Sequence, residues 1–268
     1  MANTAYPKGA QKILGASIDF IDDTIKACLL PNTYTFSTAH EFVADLGTRI
    51  GTDQTLASKS ITGGVLDADN LDYGALAPGS TVKALVIYKD TGNTSTAPVL
   101  FYFDTVAGFP FATNGGALTI PWDDGVKKIA RITTPFYPLG AQKVLAGEIN
   151  FSSDTLKVVA LPTSYVYDGA HEFLDDIAAV IGTAQTLTSK TIADGVFDAA
   201  DPSFGAIASG STIGSLLIYK DTGTAGTSPL LLRLTADNAV GLPLSTNGFA
   251  ISHQWPNGSA KIFSLIPA

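Results

Sequence analysis

One cysteine, Cys28, stands in a chain of 268 residues, so no disulfide can close within it and no thiolate cage for a metal can form. Its counterpart in an internal repeat described below is Val159, which points to a small buried hydrophobe rather than a reactive thiol. Charge is scarce too. Asp, Glu, Lys and Arg make up 15% of the residues, against about a quarter in an ordinary soluble protein. The 16 basic residues are scattered and outnumbered by 24 acidic ones, for a net charge of −8, which excludes a nucleic acid as direct partner because phosphate contacts need clustered cations. No apolar run reaches the roughly 18 residues that span a bilayer, so no membrane segment is expected. The opening MANTAYPKGA lacks the charged start and apolar stretch of a signal peptide, so export by the general route is not expected either.

What is present is 46% hydrophobic residues and a surface that must be built from Thr, Ser, Asn, Gly and Ala. So weakly charged an exterior suits a protein covered by neighbouring copies, and equally a lightly charged secreted protein. The length allows two domains of ordinary size, each with a real core.

The chain is also written twice. LVIYKDTG at Leu85–Gly92 returns as LLIYKDTG at Leu216–Gly223, and Tyr6 to Val106 aligns with Tyr137 onward at a constant offset of 131. Near Gly108 the offset becomes 133, because the TADNAVG loop of the second copy carries two extra residues. Close to half of the aligned positions are identical, and the period is a whole domain rather than a solenoid unit. The division expected is residues 1–132 and residues 133–268, with TTPFYP (Thr133 to Pro138) as a short stiff linker.

Strand patterns recur in both copies. PVLFYFD and PLLLRLT place Val99, Phe101 and Phe103 against Leu230, Leu232 and Leu234, apolar at every second position, while Tyr102 and Asp104 answer to Arg233 and Thr235 on a face expected to meet solvent or a partner. In the preceding strand Val82, Ala84, Val86 and Tyr88 lie on one side and Leu85 and Ile87 on the other. Both faces are apolar, which marks a strand central in a sandwich or covered outside. Asp90 and Gly92 then turn the chain, and without the glycine spacing and lysine of a P-loop no phosphate cradle is read there. DDTIKACLL and DTLKVVAL turn Ile25, Ala27, Leu29 and Leu156, Val158, Ala160 inward; further strands lie near TLASKSIT, YGAL, ALTIPW and KKIARI. About eight strands per module predict two all-β sandwich domains, jelly-roll or immunoglobulin-like. One helix per module is expected in TAHEFVADLGTRIG, where Ala39, Phe42, Val43, Leu46 and Ile50 fall at helical spacing and Thr38 with Glu41 fits a capping box; the second copy has Gly169 at the cap position.

Candidate chemistry is thin. His40–Glu41 and His171–Glu172 are the only recurrent His and acid pair, but adjacent residues on a helix point about 100° apart and form no dyad. His253 replaces Ile120. Asp67, Asp69, Asn70 and Asp72 could offer oxygens to calcium, yet the second copy reads DAADPS and lacks most of them, so a solvated acidic turn is the preferred reading. Trp122 and Trp255 precede turns and read as turn anchors before sugar platforms. No catalytic residue, cofactor or metal site is assigned. The polar loops TGNTSTAP and TGTAGTSP, with Asn93, Thr94, Ser95, Thr96 and Thr224, Ala225, Gly226, Thr227 at their tips, are the segments expected to reach a partner, being flexible and free of core residues.

The set YPxGAQK, HEF, SKxI…GVxDA, IYKDTG and W…G…KI resembles small proteins encoded among the virion structural genes of tailed bacteriophages, which often carry one such module. The resemblance covers both halves of the chain. It implies a structural protein of the virion, assembled in the host cytoplasm, with no enzymatic activity. Within that class a capsid decoration (cement) protein is favoured, bound to the major capsid protein or other virion proteins, and homo-oligomeric with a trimer favoured. The alternatives are a tail, neck or baseplate component whose fused modules let three chains mimic six, and a carbohydrate-binding fibre or adhesin module.

Overall fold

The computed structural model describes residues 3–265 except 124, 126, 127 and 134. Lys127 of the expected KKIARI strand, Asp124 of the turn after Trp122 and Thr134 of the joining segment lie outside the described residues.

The fold is all-β and sandwich-like, 37% strand and 10% helical, with two α-helices. In the first repeat the main antiparallel sheet runs in the order Thr4–Ala5, Val99–Phe103, Thr81–Lys89, Ile25–Pro31, Ile50–Thr55, and Phe111–Ala112 also pairs with Thr81–Lys89. The second repeats it as Leu230–Leu234, Thr212–Lys220, Leu156–Pro162, Ile181–Thr186, with Leu244–Ser245 on Thr212–Lys220. Each repeat adds a pair of short strands, Leu71–Ala75 with Ala117–Ile120 and Ser203–Ala206 with Ala250–Ser252, and a small three-stranded sheet. Among the described residues no strand of one repeat pairs with a strand of the other.

The central strand is buried on both faces as expected, except that Val82, expected beside Ala84, crosses to the other side because the register shifts between Ala84 and Val82. Val82, Leu85 and Ile87 enter the large core, while Ala84, Val86 and Tyr88 enter a second cluster with Tyr6, Cys28, Leu30, Tyr34 and Tyr102 on the far side of the sheet. That far side is roofed by the chain from Asn32 to Leu46. Tyr102 is accordingly buried, not on an open face, and a register shift between Val99 and Phe101 puts Val99 in its cluster rather than with Phe101 and Phe103. Strict alternation fails because the bulge adds one residue to the period of two. Cys28 is fully buried and free, and burial pushes its thiol pKa up.

The expected helix over Ala39–Ile50 does not form. Phe42 is extended (φ −123°, ψ 161°) and bridges to Pro98, only Val43–Leu46 makes a single 3₁₀ turn, and Gly47 at φ +68° ends it. The Asp45 side chain accepts from the amides of Glu41 and Phe42, both at 2.9 Å, so a local carboxylate takes donors that a helix would have needed. Asp176 does the same at Glu172 and Phe173. The α-helices instead span Pro7–Leu14 and Pro138–Leu145, each starting on a proline, whose missing N–H is no loss at that position. Gly9 and Gly140 let them lie on the sheet: a Cβ on either would come within 2.3 Å of the Val99 oxygen or 2.2 Å of the Leu230 oxygen.

TTPFYP is likewise not a linker outside the sheets. Phe136 bridges to Leu232, Tyr137 N–H donates to the Leu231 oxygen and Pro135 O accepts from Arg233, so this segment is the edge of the second main sheet. Ala5, Tyr6 and their partners Phe101 and Leu100 are the first-repeat equivalents.

Strands stay within repeats, but the large apolar core is continuous through both. The helices make the junction. Helix Pro7–Leu14 packs on strand Thr191–Ala193, and helix Pro138–Leu145 packs on Ser60–Thr62. The contacts are reciprocal: Phe151 N–H donates to Leu14 O (2.9 Å) and Phe20 N–H to Leu145 O (3.0 Å). Asp194 N–H donates to Gln11 Oε1 (3.3 Å) and Gly63 N–H to Gln142 Oε1 (3.2 Å). Each pair maps onto the other by the offset of 131, so the repeats meet through the same surface on both sides, as the subunits of a two-fold dimer do.

Candidate functional site

The recurrent AHEF segment is a clamp. His40 Nδ1 lies 2.8 Å from Tyr34 Oη, which lies 2.8 Å from buried Tyr6 Oη; His171, Tyr165 and Tyr137 repeat the chain at 3.0 and 2.8 Å. Glu41 pairs with Lys12 of the first helix (2.7 Å) and Glu172 with Lys143 of the second (3.2 Å), while the ammonium of each lysine lies over Phe42 or Phe173. His and Glu thus point to different partners and do not converge on a shared substrate position. The Phe42 and Glu41 amides hold the Asp45 carboxyl below its ordinary range, and Phe173 and Glu172 do so for Asp176.

The clamp holds the loops singled out above. Residues 91–96 and 222–227 are exposed, placing Asn93, Thr94, Ser95 and Thr96, and Thr224, Ala225, Gly226 and Thr227, at the tips. Ala44 N–H donates to Thr94 O (3.0 Å), Val43 N–H to Ala97 O (2.9 Å) and Leu174 N–H to Ser228 O (3.0 Å). Thr91 and Thr96 hydroxyls lie 2.7 Å apart, and Thr222 and Thr227 hydroxyls 2.6 Å. This corrects the expectation of unanchored loops: the tips are polar and exposed but braced on the 3₁₀ turn, with the buried Ala97 and Ser228 as footings. At the loop start Asp90 and Asp221 accept from Gly92 and Gly223 N–H, and those glycines sit at φ +77° and +86°, which explains the repeated KDTG.

The remaining candidates are separate. Asp69 Oδ2 lies 2.6 Å from Ser58 Oγ, Asn70 Oδ1 accepts from Trp122 N–H, Asp72 closes its own turn at Gly74 and Asp67 pairs with Lys128. The indoles of Trp122 and Trp255 are buried and donate to the backbone oxygens of Asp69 and Ala200, so they anchor turns and offer no stacking face. His253 is buried with its ring edge on Trp255, and Nε2 has no hydrogen-bond partner among the described residues. Between the repeats lie a polar cleft of about 500 Å³ lined by Lys8, Lys12, Gln11 and Glu41, and an apolar one of about 280 Å³ lined by Ile13, Leu145, Phe136 and Phe263. In the polar cleft Lys8 is tied to Asp194 and Lys12 to Glu41.

Sequence reasoning missed the Tyr6–Tyr34–His40 chain and its copy. The signal was there: all six residues recur at the same offset, including the paired hydroxyls. No helix among the described residues is long and apolar enough to cross a membrane. No protein-family model matches the chain, and no curated protein matches it significantly.

Proposed function

We propose that this protein is a structural subunit of a tailed-bacteriophage virion, and within it a capsid decoration protein that binds the major capsid protein or other virion proteins. The observation that carries the choice of position is the reciprocal contact between repeats. A ring in which successive modules mimic a sixfold needs a heterologous contact, patch A of one module on patch B of the next. Here both modules use one patch, so the fused pair is a closed two-fold unit and does not supply that step. A two-fold unit suits a seat between capsomers, with both braced loops available to neighbours. Self-association, a trimer favoured, would then use faces away from the inter-repeat contact.

The weak surface charge supports attachment by apolar and backbone contacts, which salt does not screen. Among the described residues neither repeat brings a His, an acid and a nucleophile together, and the reading assigns no catalysis and no bound metal.

Cryo-electron microscopy of particles tests this reading. The expected result is density on the shell at two-fold or local two-fold positions, in numbers that scale with the capsomers; density confined to a tail or neck ring would overturn it. On the same particles, deleting residues 93–96 should reduce occupancy while the melting temperature moves by no more than about 3 °C, since a loop tip adds little to its own sandwich. Release of the intact protein by about 0.5 M salt would contradict the apolar attachment.

A further inference from the structure

The repeats differ sharply in chemistry beside the tyrosine chain. In the first, Tyr102 is buried against Tyr6, Tyr34 and Phe36. In the second, Arg233 stands for Tyr102, Ser215 for Ala84, Tyr167 for Phe36 and Val166 for Thr35. These changes act together. Arg233 Nε donates to Oγ of the fully buried Ser215 (3.2 Å), and its guanidinium carbon lies 5.4 Å from the ring centre of Tyr165 and 5.8 Å from that of Tyr167. The group is thus held at its inner end by Ser215 and lies within cation–π reach of both rings. Lysines such as Lys12, Lys26 and Lys89 have carboxylate partners, but among the described residues Arg233 has none.

Beyond the Nε–H on Ser215, no N–H of this guanidinium has a partner among the described residues, and a carboxylate matches the terminal N–H fork with two parallel bonds. Because the side chain is already fixed, little freedom is lost when the acceptor arrives. The tyrosines are already engaged: Tyr165 bonds Tyr137 and His171, and Tyr167 is near both Arg233 and the Tyr137 ring, 5.2 Å away. Tyr167, one of the two rings beside the guanidinium, is 42% exposed, so the contact lies at the surface and within reach of a partner.

We propose that Arg233, held by Ser215 and flanked by Tyr165 and Tyr167, is an anchor site for one aspartate or glutamate side chain of a protein partner. It rests on the reading that the chain docks on other proteins of the particle, and it places the specific contact in the second repeat alone. With a net charge of −8 the chain does not attract acidic surfaces at long range, so recognition is local to this fork.

The site is tested on the isolated full-length protein by following the Arg233 Nε–H resonance while adding N-acetyl-glutamate amide, with N-acetyl-glutamine amide and sialyllactose as the other probes. The expected result is a saturable shift in the millimolar range with the glutamate probe and none with the glutamine probe. Arg233→Lys keeps the charge without the fork and should weaken that binding by about tenfold. The double variant S215A/R233Y installs the pair that the first repeat already packs, so it should keep the native circular dichroism and, followed by the Tyr167 ring signals, lose the response. No shift, an equal shift with glutamine, or a response retained in the double variant would overturn the site; saturable binding of sialyllactose without the glutamate response would replace it with an acidic-glycan site. Binding to particles that lack this protein separates the two readings. If wild type binds and S215A/R233Y binds equally, the anchor role is wrong and the particle reading stands; if wild type does not bind, the particle reading fails and the probe titration alone decides the site.

Discussion

The first and second repeats fill one fold with different atoms. In the first, Phe101 and Phe103 project from the sheet and stack toward Phe20, while Ala5, Leu66 and Ala130 stand nearby. In the second the sheet residues are Leu232 and Leu234, and the aromatics have moved to Phe136, Phe197 and Phe263 around Phe151. Volume lost at one place is regained at its neighbours, which a close-packed core tolerates better than a net change. What does not vary is geometry with no slack: the glycines under the helices, the tyrosine–tyrosine–histidine chain, the KDTG turn. The outer surfaces differ most. Six large exposed hydrophobic residues, Val166, Tyr167, Val180, Val240, Leu244 and Phe249, belong to the second repeat, where the first has Thr35, Phe36, Arg49, Ala107, Phe111 and Gly116. Two modules under identical demands would not diverge in that pattern.

The comparison can be broken first at its fixed points. Gly9→Ala and Gly140→Ala should each cost about 2–4 kcal/mol in denaturant unfolding, because the new methyl meets a sheet carbonyl that cannot retreat. The effect should be nearly equal in the two repeats; a tolerated change in either would show that the helix is not pinned there. Next comes a polar group held by one repeat only. Tyr88 Oη donates to Asp53 Oδ2 (2.6 Å), and Asp53 also takes Arg49, whereas the second repeat has Ala184 and Val180 in those places. Asp53→Ala should cost about 1–2 kcal/mol, and R49V/D53A, which restores the second repeat's chemistry, should recover part of it in the same melts.

The smallest expected effect is a pH dependence confined to the second repeat. Burial lowers the His253 pKa below its ordinary 6.5, with Asp201 opposing in part. The unfolded chain therefore binds this proton more readily than the folded one, so stability is full above about pH 6.5 and falls as pH drops below it. His253→Ile, the residue of the first repeat, should flatten part of the decline in melting temperature between about pH 7.5 and 5.5. An unchanged slope would mean that the ring is not shielded as its burial implies.

Much of this fold was legible in the residues, and the failures have physical causes. The repeat, the central strand apolar on both faces, the inward sets Ile25, Ala27, Leu29 and Leu156, Val158, Ala160, and the Asp90–Gly92 turn all stand where pattern and turn chemistry put them, since each depends on near neighbours in the chain. The helix was misplaced. Apolar residues from Ala39 to Ile50 fit helical spacing, but Asp45 captured the Glu41 and Phe42 amides and Pro98 drew Phe42 into a bridge. The true helix at Pro7–Leu14 carries a proline and a glycine in eight residues, and only its packing on the sheet backbone makes it favourable. Of the candidate site, the loop tips could be read from composition, whereas their footing on the 3₁₀ turn and the grip of Tyr165 and Tyr167 on Arg233 could not.

By itself, then, the sequence determined that this protein is a duplicated all-β unit of low charge, because periodicity, turn residues and composition are properties of the chain alone. Tertiary structure decided that the copies close on each other through one shared face, and that Arg233 comes to lie beside two tyrosine rings with no carboxylate partner among the described residues. Those outcomes depend on which side chains far apart in sequence arrive at the same place, and only the assembled packing fixes that.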